Sequence, residues 1–421
     1  MIKLVFIALI LLLSLRFFFF YHNQPQYDDG QYIDFETILL SEPQIVGRVQ
    51  RITANLESGE KIFVTVPQFP EFNYGQTLHI SGILKKRLLT NEKVILTMSF
   101  PKAEPVKRSQ NLLLALTSFI RQKVILLFEK TLPPNSSGLL LGIVFGIREG
   151  MDKTFSNDLR LSGVLHVVAA SGMNVTMVGG FLTGFFGSIF RRQIALVFSI
   201  GGILFYALLA GLEPSIVRAS IMGIFAFSAQ ILGRQNLAVY ALGIAAYLML
   251  FISPSLLFDV GFQLSFLATL GLIFIRPLFK KDKPVEDVGD IFKRHDIFEK
   301  SVIREDLTTT ISAQIATLPI LLVTFGTYSL WSVGINALVL WTIPILMVIG
   351  GVGAMFGLLI EPLGQLVLYL SLPFLLFFEA IVHTSSKWGG VVGIENFPWQ
   401  IAVGYYSMLL AIIVFLRKKQ K

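Results

Sequence analysis

Cysteine is absent from the 421 residues. That excludes disulfides, thiolate metal sites and cysteine nucleophiles, and leaves the cellular compartment open. Charge is scarce as well: Asp, Glu, Lys and Arg make up 15% of the chain, against 54% hydrophobic residues. The five histidines (His22, His79, His166, His295 and His383) are scattered, with no HxH or HxxxH pair. No bound metal centre is therefore expected, and no cofactor. No GxxxxGK[ST] loop occurs, so the chain has no nucleotide-driven motor of its own. Internal repeats and low-complexity tracts are missing too.

What the chain has instead is apolar sequence in long runs. Its mean hydropathy is +0.69, and runs of about 18 or more apolar residues recur, which a soluble domain rarely shows. The expected fold is a polytopic α-helical membrane protein. Lys3 precedes a first run, Leu4–Phe20, that carries Arg16, lacks a small-x-small cleavage site and ends in four phenylalanines. Residues 1–21 are thus expected to form an uncleaved first span, not a removed signal peptide.

Residues 22–109 differ from the rest. Gln44–Ile52, Lys61–Val66, Thr77–Leu84 and Lys93–Met98 alternate apolar and polar residues between turn signals. Period-2 patterning predicts a small all-β domain, and the length fits a five-stranded OB-like barrel. Such barrels often bind single-stranded nucleic acid. Arg48, Arg51, Lys85, Lys86 and Arg87, with Lys93, are candidates for phosphate contacts, and Phe63, Phe69, Phe72 and Tyr74 for stacking. Lysines also solvate any small barrel, however, and aromatics fill its core.

Residues 110–162 hold three imperfect segments. Leu112–Phe128 is interrupted by Arg121 and Lys123, which predicts a helix along the interface or docked on the bundle. Ser136–Ile147 is too short to span and fits a re-entrant or buried helix. Met151–Ser162 is amphipathic, with Asp152, Lys153, Asp158 and Arg160.

Residues 163–421 form the main membrane domain. Spans are expected near Val164–Phe190, Ile194–Gly211, Ser215–Leu232, Leu237–Ile252 and Val260–Phe279, then Leu307–Phe325, Leu330–Ile349, Leu363–His383 and Ile401–Leu416. With the first run this makes about ten, and Gly350–Ile360 fits none of them cleanly. Arg191-Arg192, Arg234, Lys280-Lys281 with Lys283, and Arg417-Lys418-Lys419 with Lys421 fall at alternate ends of these spans. Basic residues mark the cytoplasmic side, so both termini are expected inside the cytoplasmic membrane and the β domain outside. Lys280–Asp306, dense in both signs, predicts a solvated linker.

Polar residues within the spans carry the functional argument. The run Gly163–Gly180 contains His166, Ser171, Asn174 and Thr176 among glycines. Lipid offers no hydrogen bonds, so such side chains face protein, water or cargo. His166, Ala170 and Asn174 share a face of an unbroken helix, whereas a break at Ser171-Gly172 frees backbone groups to line a cavity. Interhelical hydrogen bonding is the alternative role for His166 and Asn174. Arg218 costs about 3 kcal/mol at mid-membrane, so it either snorkels or pairs with Glu213, or faces a wet interior where it meets phosphate. Asp259 and Gln263, four apart, are expected on one helix face; Gln314 and Asn336 add polar points on later spans. Together these describe a bundle with a polar interior suited to a hydrophilic, anionic cargo.

Three blocks then match a known pattern. His166-Val-Val-Ala-Ala-Ser-Gly-Met-Asn-Val175 resembles the HLLAISGLHV signature of the ComEC family of DNA-uptake channel proteins. Leu209-Ala-Gly-Leu-Glu-Pro-Ser-Ile-Val-Arg-Ala219 is similar to that family's TGLSPSVLRA segment, and Asp259-Val-Gly-Phe-Gln-Leu-Ser-Phe266 to its DVGFQLSF segment. Ala313–Pro319 and Asn336–Pro344 correspond to later blocks. The resemblance implies a channel for single-stranded DNA in natural transformation, with the OB-like domain receiving DNA outside. His166, Ser171, Asn174, Arg218, Asp259, Gln263, Gln314 and Asn336 are then candidates for the channel lining.

Many family members end in a metallo-β-lactamase-like nuclease. No HxHxDH cluster occurs here, so strand degradation is expected to fall to a separate nuclease, alongside a separate ATP-driven motor or helicase and a DNA receptor. Membrane lipids are the other partner, and a homo-oligomer is compatible with the sequence. Asn174 stands where the signature has histidine, so no proton or ligand role carries over to it. Two alternatives remain: a transporter of a small anion or lipid-linked sugar, and an intramembrane hydrolase using Ser171 with His166. On a regular helix five residues separate that serine and histidine, which disfavours the pair.

Overall fold

The computed structural model describes residues 2–23, 25, 27–56, 58–88, 94–106, 112–147, 151–168, 171–233, 238–279, 302–394 and 397–420. Lys93, Arg234, His295 and residues 280–301 of the charged linker lie outside them. The chain divides into two compact units, Met1–Lys123 with Tyr247–Leu257, and Val124–Ala246 with Phe258–Lys421.

The first unit begins with helix α1 (Ile2–His22). The charge inside its apolar run has a local answer: Arg16 Nε donates to the Phe251 carbonyl at 3.1 Å. That carbonyl lies in the last turn of α9 (Ala238–Ile252), where acceptors have no intrahelical partner and a cation is favoured by the helix dipole.

The β strands follow: β1 (Tyr32–Ile38), β2 (Gln44–Val46), β3 (Val49–Asn55), β4 (Lys61–Pro67), β5 (Thr77–Leu88), β6 (Val94–Ser99) and β7 (Lys102–Pro105). They hydrogen-bond in the order β1-β5-β6-β4-β3-β2, with β7 beside β5. Every ladder is antiparallel except β4 with β6, which is parallel. In β1, β3 and β4 every second residue is buried. Ile33, Phe35, Ile52, Ile62, Val64, Val66, Leu78, Ile80, Leu84 and Met98 thereby build one core. Phe72 and Tyr74 belong to the buried interior, so the structure corrects their expected role as stacking platforms.

Helix α2 (Leu112–Thr131) starts against this β structure. Arg121 is buried there, its Nε 3.1 Å from Glu42 Oε1 and its guanidinium 4.3 Å from the Tyr74 ring centre. The charged interruption in the apolar run is thus a docking contact with a carboxylate and an aromatic face.

In the second unit come α3 (Pro134–Phe145), α4 (Lys153–Leu161), α5 (Leu165–Val168), α6 (Gly172–Ile189), α7 (Arg192–Leu209), α8 (Pro214–Ile231), most of α9, α10 (Val260–Phe274) and α11 (Arg276–Phe279). After the linker follow α12 (Val302–Phe325), α13 (Ser332–Val339), α14 (Thr342–Leu359), α15 (Glu361–Tyr369), α16 (Leu372–Ser386) and α17 (Trp399–Gln420). Strands β8 (Thr327–Ser329) and β9 (Val391–Gly393) pair antiparallel.

Val175, Leu196, Ile203, Tyr206, Ile216 and Phe227 pack α6, α7 and α8 together. Met222, Ala226, Ala241, Leu242, Ala245 and Ile273 join α8, α9 and α10. Small residues set the approach of α10 to α12: a side chain at Gly271 would overlap the Ser312 carbonyl.

By length and composition, six helices among the described residues can cross a membrane: Arg192–Leu209, Pro214–Ile231, Val260–Phe279, Leu307–Phe325, Thr342–Leu359 and Trp399–Leu416. The pair α15 and α16, bent by 47°, makes up to seven. Ile7–His22, Pro134–Phe145 and Ala238–Ile252 are shorter apolar helices. The chain is a multi-pass membrane protein. Leu330–Ile349 divides between α13 and α14, and Gly350–Ile360 is chiefly the second half of α14. Broad apolar exposure on α17, with Val403, Met408, Leu410 and Phe415 all open, is what a lipid-facing helix shows.

Candidate functional site

The run Gly163–Gly180 is not one helix. Helix α5 ends at Val168, and α6 starts at Gly172 after Ser171 in extended backbone (φ −115, ψ 169). The His166 side chain is exposed. Ser171 Oγ donates to Asn174 Oδ1 at 3.1 Å and therefore does not cap α6. Among the described residues, no hydrogen bond joins Ser171 to His166.

Asn174 lies fully inside. Its Nδ2 donates to the Ile143 carbonyl at 2.6 Å, while Tyr206 Oη donates to the Val144 carbonyl at 2.8 Å. Two side chains from α6 and α7 thus satisfy carbonyls at the end of the short helix α3, which has few other partners for them. Tyr206 was not among the sequence candidates; an aromatic in an apolar run carries no sign that its hydroxyl has a distant partner.

Arg218 is 8% exposed, in the second turn of α8. Its Nε donates to Ser265 Oγ at 2.8 Å and its Nη1 to Thr269 Oγ1, both on α10. Nη1 also lies 3.8 Å from Met222 Sδ. Neither snorkelling nor a Glu213 pair is seen: among the described residues no carboxylate forms an ion pair with Arg218. Ser265 and Thr269 sit one turn apart on the face of α10 that meets α8.

Asp259 and Gln263 stand one helical turn apart, the Gln263 amide donating to the Asp259 carbonyl at 3.0 Å. Asp259 is the N-cap of α10, accepting from the Phe262 amide at 3.0 Å, and Gln263 follows inside the helix.

A second polar group gathers on α12 and α13. Gln314 Nε2 donates to Ser332 Oγ at 3.1 Å, and Gln314 Oε1 accepts from Tyr328 Oη at 2.9 Å. Asn336, one turn beyond Ser332, is 1% exposed, and neither its Nδ2 nor its Oδ1 has a partner among the described residues. Gly163 approaches this group so closely that a Cβ there would lie 2.6 Å from Ser332 Cβ. The structure therefore places Ser171, Asn174 and Arg218 around the start of α6, and Gln314 and Asn336 around α13.

Two further polar contacts had no sequence signal. Ser136 at the start of α3 donates to Glu379, and His383 Nδ1 lies 2.9 Å from Asp158 Oδ2. Glu379 and His383 are one turn apart on α16, so this helix holds both α3 and the amphipathic α4. Their spacing of four was legible; their partners, more than 200 residues away, were not. Among the described residues no three His, Asp or Glu side chains are grouped as metal ligands.

On the β structure, Arg48, Arg51, Lys85, Lys86 and Arg87 are all exposed. Phe63 is 45% exposed and Phe69 70%. Thr53, Phe63, Thr97 and Lys85 lie in one cross-strand row over β3, β4, β6 and β5. Arg51 flanks this row on one side and Lys61 and Arg87 on the other, all on the outer face. Arg48 occupies the β2–β3 turn instead, and the Lys86 amide donates to Asp29 Oδ1 at 2.7 Å.

These arrangements can be set beside known proteins. ComE operon protein 3 of Bacillus subtilis (strain 168) is 28% identical over 225 residues, 52% of this chain and 26% of that protein. Recombination protein 2 of Haemophilus influenzae is 29% identical over 136 residues, 30% of this chain and 17% of its own length. The chain therefore matches well under half of each curated relative. No solved structure matches. The family model described as Competence protein matches residues 143–419, which hold α4 to α16 and nearly all of α17 with both buried polar groups, and the chain belongs to that ComEC-type competence protein family.

Proposed function

We propose that this protein is a channel, not an enzyme, carrying single-stranded DNA across the cytoplasmic membrane during natural transformation. The observation that supports it best is that the competence match coincides with the helical unit holding buried Arg218, Asn174 and Asn336. A membrane bundle keeps such groups inside only where they are bonded to one another or serve a hydrophilic cargo. About ten crossings, counting the shorter apolar helices, would place both termini in the cytoplasm and the β domain outside.

The β domain is read as OB-like. Its five main strands run β1-β5-β6-β4-β3 with the parallel β4–β6 pair that a Greek-key barrel of this kind requires. The outer row centred on Phe63 supports a nucleic-acid face: an exposed ring among Arg51, Lys61, Lys85 and Arg87 offers stacking and phosphate contacts together. A separate motor, DNA receptor and nuclease complete the process, and membrane lipids surround the bundle.

Deleting the gene should abolish entry of labelled DNA into the cytoplasm while binding at the cell surface survives. Unchanged transformation in the deletion strain would sink the proposal. A small-anion transporter shares the buried arginine; displacement of bound oligonucleotide by small solutes at equal charge would favour it.

A further inference from the structure

Arg218 is a buried cation held by neutral atoms. Its described bonds go to Ser265, Thr269 and Met222, and among the described residues no carboxylate forms an ion pair with it. A charge out of water without a counter-charge is costly, and its usual remedy is an opposite charge. Asp259, which precedes Ser265 and Thr269, is the N-cap of α10.

A second positive feature meets it. A Cβ placed on Gly172 would lie 2.8 Å from Arg218 Nη2, so the guanidinium packs on the first residue of α6. Helix α6 is 18 residues long, and no side chain caps its N-terminus, because Ser171 Oγ is turned to Asn174. The positive end of a helix dipole and an arginine therefore face each other, and among the described residues no carboxylate forms an ion pair with that arginine. Glycine at position 172 is what lets Nη2 come this close to the start of α6. Polar uncapped amides plus a guanidinium are the donor set that grips a phosphate.

We infer that Arg218 and the N-terminal turn of α6 form a binding site for one phosphodiester anion. This deepens the channel reading and rests on it for the source of the phosphate, the backbone of the passing strand. A lipid headgroup offers the same chemistry. One phosphate-sized station in the bundle would read backbone and not sequence, as a channel for any strand must.

The absence of cysteine makes the test direct. Ser171→Cys places a single thiol at the mouth of α6 in the full-length protein, reconstituted in phosphatidylcholine nanodiscs. An anionic sulfonatoethyl methanethiosulfonate should modify it about tenfold or more faster than the cationic trimethylammonium reagent. That preference should vanish with Arg218→Gln and persist with Arg218→Lys. A short abasic phosphodiester oligomer should slow the reaction, and Gly172→Ala, which keeps the charge but pushes the guanidinium off the start of α6, should remove this protection. Equal rates for the two reagents, or no protection by the oligomer, would overturn the site even if the gene still restores DNA uptake. Protection by phosphatidylglycerol in the nanodisc, with none from the oligomer, would overturn the assignment to the strand. An intact site in a protein whose deletion leaves uptake unchanged would count against the DNA channel alone.

Discussion

Arg121 and Glu42 are 79 positions apart and form a buried ion pair of 3.1 Å, with the guanidinium lying over the ring of Tyr74. Glu42 completes the arrangement by accepting from the Tyr74 amide at 3.1 Å with its other oxygen. Each charge is thus satisfied out of water, and removal of either leaves the other stranded. Arg121→Ala should destabilise this unit by about 3–5 kcal/mol. Arg121→Met combined with Glu42→Leu should cost far less than either single loss. Hydrogen exchange of the β1 and β5 amides in the full-length protein measures both. Equal costs for the single and double variants would show that the pair does not hold α2 in place.

Tyr74 gives the same contact an alkaline limit. Burial raises its phenol above the ordinary tyrosine range, the Arg121 charge opposing this in part. An acid whose folded pKa is raised contributes stability that is complete below its unfolded pKa, about 10, and lost as pH climbs through the folded value. The β unit should therefore loosen above about pH 10. Tyr74→Phe should flatten that loss. A β unit equally stable at pH 8 and pH 11, judged by protease resistance, would contradict this.

Gln50 organises the loop that carries Phe69. Its Nε2 lies 3.0, 2.7 and 2.8 Å from the carbonyls of Pro67, Gln68 and Pro70, and its Oε1 accepts from the Phe72 amide. Gln50→Leu keeps the volume but leaves those groups without partners, at about 1–3 kcal/mol for each that water cannot reach. Amides of residues 68–72 should exchange faster while the β1–β5 ladder stays protected. Uniform loss of protection would mean that Gln50 supports the whole core instead.

The exposed row makes a separable prediction about binding. Phe63→Ala should weaken binding of a single-stranded oligonucleotide by about 1–3 kcal/mol without unfolding, since Phe63 lies on the outer face and is 45% exposed. Lys85→Ala should lower the slope of log affinity against log salt by about 0.7. Phe72→Ala, by contrast, removes core and should show itself in stability. Oligonucleotide titrations at several salt concentrations distinguish these outcomes, and an unchanged affinity in Phe63→Ala would rule out this face.

Phe63 shows how far local pattern reaches. Ile62, Val64 and Val66 point inward, so alternation alone turns Phe63 outward. Phe69, Phe72 and Tyr74 lie beyond the strand, where no period applies, and only packing assigns Phe69 to solvent and the other two to the interior. The helices behave similarly. Sequences apolar on every side mark a buried or membrane setting, yet contain no phase to show that Leu330–Ile349 breaks between α13 and α14.

By itself, the sequence determined that this is a multi-pass membrane protein with an N-terminal β region, and its linked blocks identified the family. Composition, periodicity and the spacing of polar residues are local quantities, and those conclusions need nothing more. The tertiary structure alone decided the partners: Glu42 for Arg121, Ser265 and Thr269 for Arg218, Ile143 for Asn174. Two arginines in apolar helices look alike along the chain. One meets a carboxylate and the other only neutral groups, because residues far apart in sequence are brought together by helix packing that no local pattern encodes.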